Sequence, residues 1–153
     1  MIPPVAPASA ADVVDFPMVE LRGTPVERGR TYGAALKSQV LGSVALYTAQ
    51  LRAMNHDWSA IAAIAREFLP LVEGYDPAYV EEMRGIAEGA GCDLEHILLI
   101  NARTEILQIG RQRAGIPDEE PDGCTGAVIL GSHTAHGRLI HGQNWDWRPE
   151  CAH

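Results

Sequence analysis

Pro121-Asp122-Gly123-Cys124-Thr125 is the stretch on which the fold turns. Upstream of it the sequence reads as a succession of helices. Downstream the apolar pattern becomes that of strands. Gly123 has no Cβ, and the Cys after it opens the first strand, so the junction pairs an unhindered peptide bond with a thiol.

Working back from the junction, residues 109 to 123 are polar, rich in Gly and Pro and without apolar period, which predicts an exposed loop. Before the loop, Asp93 is placed to cap a helix whose apolar positions Ile97, Leu98, Ile100 and Leu107 fit one face. Asp76-Pro77 starts another helix, through Glu88, with Gly89 and Gly91 ending it. Asp57 or Ser59 caps a helix from Ile61 to Phe68 that Pro70 kinks or ends. Thr24-Pro25-Val26-Glu27 carries a cap, a proline for the first helical position and a capping-box acid, predicting a helix to about Met54. Pro17 to Arg22 partly alternates and reads as a short strand; residues 1–15 read as a flexible leader.

Working forward, Thr125 to Leu130 is an apolar strand, Gly131 to Arg138 a turn, and Leu139 to Gln143 a second strand. The expected class is α+β, with a mostly helical front (16–123) followed by a β-hairpin that begins a second segment (124–153). A lone hairpin is marginal in water, so this segment reads as incomplete.

With 153 residues and 46% hydrophobic content, the chain is one domain or part of one and can bury a sizeable core. Its net charge of −8, from 12 basic and 20 acidic residues, argues against nucleic acid and anionic membrane surfaces as partners. No apolar run reaches the length of a membrane span. Three widely spaced cysteines, Cys92, Cys124 and Cys151, do not form a disulfide framework, and a reducing, cytoplasmic setting is expected.

A thiol attacks as thiolate, and a free Cys titrates near pH ~8.5, so an attacking Cys needs help with its proton. If the Gly123–Cys124 bond were cut, Cys124 would acquire an α-amine titrating at about 7.7 to 8.0, which can take the thiol proton directly or through water. Nucleophile and base would then share one residue. Before cleavage the same thiol can attack the Gly123 carbonyl, in an N-to-S acyl shift followed by hydrolysis. The alternative is a small buried Cys at a strand start. Against that alternative stand the position of Cys124 after Asp-Gly at a loop-to-strand switch and the hairpin, which returns Gly142-Gln143-Asn144-Trp145-Asp146-Trp147 beside it; that motif read alone is a strand end with turn-bonding Asn and Asp and core-packing Trp. There Asp146 can accept from the freed ammonium or orient the nucleophile, and Asn144 can hold the chain or the substrate.

Asp122-Gly-Cys-Thr125 followed by Gly142-Gln-Asn-Trp-Asp146 resembles the peptidase C45 family of N-terminal-nucleophile hydrolases. Leu21-Arg-Gly-Thr24, Glu82 to Gly91 and Leu99 to Glu105 are similar to the same family, so the resemblance runs from about residue 16 to 150. It implies an αββα sandwich, of which this chain would supply the N-terminal part. It also implies self-cleavage between Gly123 and Cys124, after which the α and β segments stay associated. The reaction implied is amide hydrolysis or acyl transfer through a thioester, on a small-molecule amide or an acyl-coenzyme A. Cys124 would be the nucleophile and Asp146 its supporting acid, with no cofactor. Family members continue well past Asn-Trp-Asp, with the remaining sheets, the oxyanion hole, most of the acyl pocket and further active-site residues expected in that continuation. Asn101, Arg103 and Glu105 read as structural, with a reach towards the site as the other possibility.

Choloylglycine-hydrolase and acid-ceramidase-like amidases usually show Arg-Asn-x-Asp where this chain has Gln143 before Asn144, which favours the acyltransferase-like branch. His133, His136, His141, Cys151 and His153 could ligate a metal, but they lack a recognised spacing and read as solvated turn residues. A non-catalytic helical interaction fragment is the third reading.

Overall fold

A computed structural model of the protein describes residues 17–117 and 123–144. The chain divides into two compact units, one reaching Ile116 and the other beginning at Pro117. Among the described residues, the first holds helices and the second a β-hairpin, which is the expected α+β class. The leader and residues 118–122 and 145–153 lie outside the described residues.

Helix α1 (Pro25–Ala35) starts as its sequence dictates. The Thr24 hydroxyl accepts from the Glu27 N–H at 3.4 Å, and the Glu27 carboxylate accepts from the Thr24 N–H at 2.8 Å. The single helix expected to Met54 is instead two, because the backbone bends at Leu36 (φ −113°, ψ 30°) before α2 (Lys37–Ala53). The cause lies in packing. Helix α1 lies against α5 (Pro77–Ala90), whereas α2 also packs on α6 (Leu94–Asn101) and α7 (Arg103–Arg113). The bend gives each half its own partner and keeps the Leu36 N–H bonded to Tyr32 O at 2.9 Å.

Asp57 caps α3 (Trp58–Glu67) by accepting from the Ala60 N–H at 2.8 Å. Pro70 does not simply end this helix. It occupies the first turn of α4 (Leu69–Tyr75), where its missing N–H leaves no bond unmade. Asp76 and Pro77 open α5, which runs through Gly89 and stops at Gly91, whose φ of +75° is the left-handed cap that a glycine accepts without strain. Gly89 is a packing residue and not a terminator, because an added Cβ would lie 2.4 Å from Arg30 O on α1.

The last predicted helix also divides, at Ala102 (φ −107°, ψ 28°), into α6 and α7. Ile97, Leu98 and Leu99 are buried consecutively, so α6 is covered on more than one side and has no single apolar face. It packs on α2, α3, α5 and α7. The largest fully buried side chains of the core are Leu51, Ile61, Ile64, Ile97, Leu98, Leu99 and Ile106, each worth about 1.5–3 kcal/mol relative to exposure. Helix α7 extends to Arg113, into what reads as loop in sequence, because Gly110 is the point at which α7 meets Leu51. The His56 ring Nε2 lies 2.8 Å from Gly110 O at the same crossing.

The short strand expected over Pro17–Arg22 is absent. Residues 17–22 have no regular structure, and the sheet among the described residues consists only of β1 (Gly126–Ile129) and β2 (Ile140–Gln143). A strand without a ladder partner has nothing to fix it. The two strands are antiparallel, with Gly126 opposite Gln143 and Ile129 opposite Ile140. Their connection holds a 3-10 turn (Gly131–His133), and the Thr134 hydroxyl is 2.8 Å from Arg138 O across its base.

Candidate active site

Cys124 stands two residues before β1 and is exposed, as are Gly123 and Thr125. The ladder reaches beyond β1, because the Asn144 N–H donates to Thr125 O at 2.8 Å. The start of the second motif is thereby held beside the residue that follows Cys124, as the hairpin predicts. Among the described residues, a Cβ built on Gly123, Gly126 or Gly142 would meet no atom within 4 Å. Asp146, expected to support the nucleophile, and Asp122 lie outside the described residues.

Cys92 differs from Cys124 in a way that matters for reactivity. It is half-buried just past the end of α5, and that burial, with the Asp93 carboxylate beside it, pushes its thiol pKa up. A thiol held protonated is a poor nucleophile. Of the two described cysteines, Cys124 is the one presented to solvent.

Asn101, Arg103 and Glu105 belong to the helical unit. The Asn101 side-chain amide donates to Ile97 O at 2.9 Å, and the Arg103 guanidinium sits 5.9 Å from the centre of the Tyr47 ring. Both flank the bend at Ala102 and help fix it, while Glu105 is exposed. One feature escaped sequence reading. A cleft of about 250 Å³ in the helical unit has Val40, Ile86, Ile97 and Ile100 among its lining, with Gln39, Ser43 and Asn101 as polar groups. Its only sequence signal is Gln39 and Ser43 one turn apart on α2, beside an otherwise apolar stripe.

His133, His136 and His141 are exposed on the hairpin unit. Among the described residues, no group of three or more His, Cys, Asp or Glu is arranged to hold a metal ion. Cys151 and His153 lie outside those residues. No helix among the described residues is long and apolar enough to cross a membrane.

Over 130 residues, 84% of this chain, the sequence is 32% identical to the acyl-coenzyme A:6-aminopenicillanic-acid-acyltransferase 40 kDa form of Emericella nidulans, matching 33% of that protein. It is also 26% identical over 152 residues, 89% of this chain, to an uncharacterized protein of Archaeoglobus fulgidus, matching 25% of it. The chain thus spans a quarter to a third of the length of these curated relatives. No family model matches the sequence.

Proposed function

We propose that the chain carries the front portion of a self-processing acyltransferase or amide hydrolase of the peptidase C45 type, with Cys124 as its nucleophile. The observation that carries this reading is the 32% identity to an acyltransferase over 84% of the chain. The bond from the Asn144 N–H to Thr125 O adds to it, because it draws the two motifs together.

The chemistry has two stages. In self-processing, the Cys124 Sγ attacks the Gly123 carbonyl carbon, the C–N bond to Cys124 breaks, and the nitrogen takes the thiol proton. Water then hydrolyses the resulting thioester, leaving a carboxylate on Gly123 and an α-amine on Cys124. In turnover, that amine receives the thiol proton and Sγ attacks the carbonyl of a small amide or an acyl-thioester. The leaving amine or thiol departs with a proton, and water or a second amine removes the acyl group from sulfur. Asp146 steadies the α-ammonium, and Asn144 holds the returning strand. The α and β segments stay together after the cut, within an αββα sandwich that needs further chain for its acyl pocket, and no cofactor takes part.

Intact-mass measurement of the purified protein and of a Cys124→Ala variant tests the first stage. Two fragments meeting between Gly123 and Cys124, absent from the variant, are expected. An unsplit protein with full acyl-transfer activity refutes the reading.

A further inference from the structure

Strand geometry around Cys124 points to a second reacting group. Gly126 is opposite Gln143, and the ladder continues through Asn144 N–H to Thr125 O. Successive side chains alternate between the two faces of a strand, and residues directly opposite share a face. Cys124 and Gly126 therefore lie on one face with Gln143, while Thr125 and Asn144 lie on the other.

Bonded and non-bonded pairs alternate along an antiparallel ladder. Because Thr125 and Asn144 are hydrogen-bonded, Gly126 and Gln143 form a non-bonded pair, the type with closest side chains, at about 4.5 Å between Cα atoms. Cys124 is thus the diagonal neighbour of Gln143, at roughly 7–8 Å, a span that long side chains bridge. The residue beside both on that face is Gly126, and a Cβ built on it would meet no atom of the described residues within 4 Å, its chain neighbours aside. A thiol and a carboxamide therefore share one face of the hairpin, with no side chain at Gly126 to separate them.

We infer that Gln143 is a further catalytic residue, whose side-chain N–H donates to the carbonyl oxygen of the acyl group that Cys124 attacks. This rests on the reading of Cys124 as nucleophile. As the Sγ–C bond forms, the carbonyl electron pair moves onto oxygen, and a donor aimed at that oxygen stabilises the charge. A carboxamide suits the task because its N–H bonds weakly to a neutral carbonyl and more strongly as the oxygen becomes anionic, so it favours the transition state over the ground state.

The test acylates Cys124 of the 153-residue chain with p-nitrophenyl butyrate. Nitrophenolate release is followed, and the butyryl-Cys124 peptide is identified by mass spectrometry. In this step Sγ replaces nitrophenolate on the acyl carbon and the thiol proton is released. Iodoacetamide alkylation of the same thiol is the control, since it develops no oxyanion. Gln143→Ala and Gln143→Glu are expected to slow acylation about tenfold, less than the 10²–10³ lost from an enclosed oxyanion site because water competes here. Their alkylation rates are expected to stay at the wild-type value. Gly126→Val, which sets a branched side chain beside both groups, is expected to slow acylation as well. Equal acylation in wild type and Gln143→Ala overturns the inference and leaves Cys124 standing as nucleophile. A parallel fall in acylation and alkylation overturns it too, by showing an effect on the thiol itself. A wild-type chain whose Cys124 takes no butyryl group overturns both.

Discussion

Replacing Gly85 with Ala tests how the helical unit is held together. Helices α1 and α5 meet through Gly29 and Gly33 on one and Gly85 and Gly89 on the other. A Cβ on Gly85 would lie 2.2 Å from Val26 O and 2.9 Å from Arg30 N, both backbone atoms that no rotamer change can move aside. A carbon–oxygen contact needs about 3.3 Å, so the two helices must part locally by roughly 1 Å. A gap of that size forfeits a quarter to a half of each dispersion contact it opens. It also strains the ion pair of Arg28 with Glu82, now at 2.6 Å. Overpacking of this kind costs about 1–3 kcal/mol, and more where the obstacle is backbone, against a gain of about 1 kcal/mol from replacing a helical Gly. We expect a net loss of about 2 kcal/mol, or a fall in Tm near 10 °C for a unit of this size. Gly42→Ala in α2 is the internal control, because its Cβ would meet no atom within 4 Å. With only the propensity gain in play, it should raise stability by about 0.5–1 kcal/mol. Helical circular dichroism during heating reads both. If Gly85→Ala melts at or above the wild type while Gly42→Ala behaves as expected, the backbone contact between α1 and α5 is not what sets their spacing.

Two further outcomes follow from the titrating groups. At neutral pH, iodoacetamide should label Cys124 well before Cys92, whose thiol is pushed up by burial and then by Asp93; equal labelling of the two in peptide maps would contradict that account. A raised thiol pKa also means that the contribution of Cys92 to folding is complete below its unfolded value and is lost as pH climbs through the folded one. Glu95 behaves in the opposite sense. The hydrogen bond from Arg66, at 2.8 Å between α3 and α6, holds its carboxyl below the usual range. That stabilisation is present above about pH 4 and disappears as pH falls through the depressed value. Because Arg66 is half exposed, Glu95→Gln should lower stability by only about 0.5 kcal/mol at pH 7. The difference should vanish near pH ~2, and urea midpoints that differ equally at both pH values would refute the ion-pair explanation.

Helix starts were legible in the sequence because their signals are local. Thr24, Asp57 and Asp76 each place a side-chain oxygen on a backbone N–H within their own first turn. The bends at Leu36 and Ala102 were not legible, because neither residue is a Pro or Gly and both bends answer to the helices on which each half packs. Glycine was legible at Gly91, where a cap needs its conformation, and at Gly89, where its place late in a helix fits close packing, but not at Gly110, which reads as loop and is a close contact between helices. Sequence shows that a Cβ is missing and is silent on what stands where it would be.

The hairpin raises the same issue for the site. Two apolar segments around a turn predict that Gln143 and Asn144 return near Cys124, but proximity alone does not say which of the two shares its face. A shift of one residue in register would exchange them. Nothing in the strands themselves prevents that shift through burial, because Val128, Ile129 and Ile140 are all exposed in the structure. What sets the parity is the geometry of the connection. Gly131 lies against Gly137 O so closely that a Cβ would be 2.5 Å from it, and the Thr134 hydroxyl reaches Arg138 O across the turn. A turn locked in this way fixes how many residues separate the paired strands, and through them places Gln143 on the face of the thiol. The residue that shares a face with Cys124 is therefore decided by the turn, and Thr134→Ala, which removes the bond to Arg138 O, should slow acylation of Cys124 by p-nitrophenyl butyrate; an unchanged rate would show that the strands keep their register without that bond.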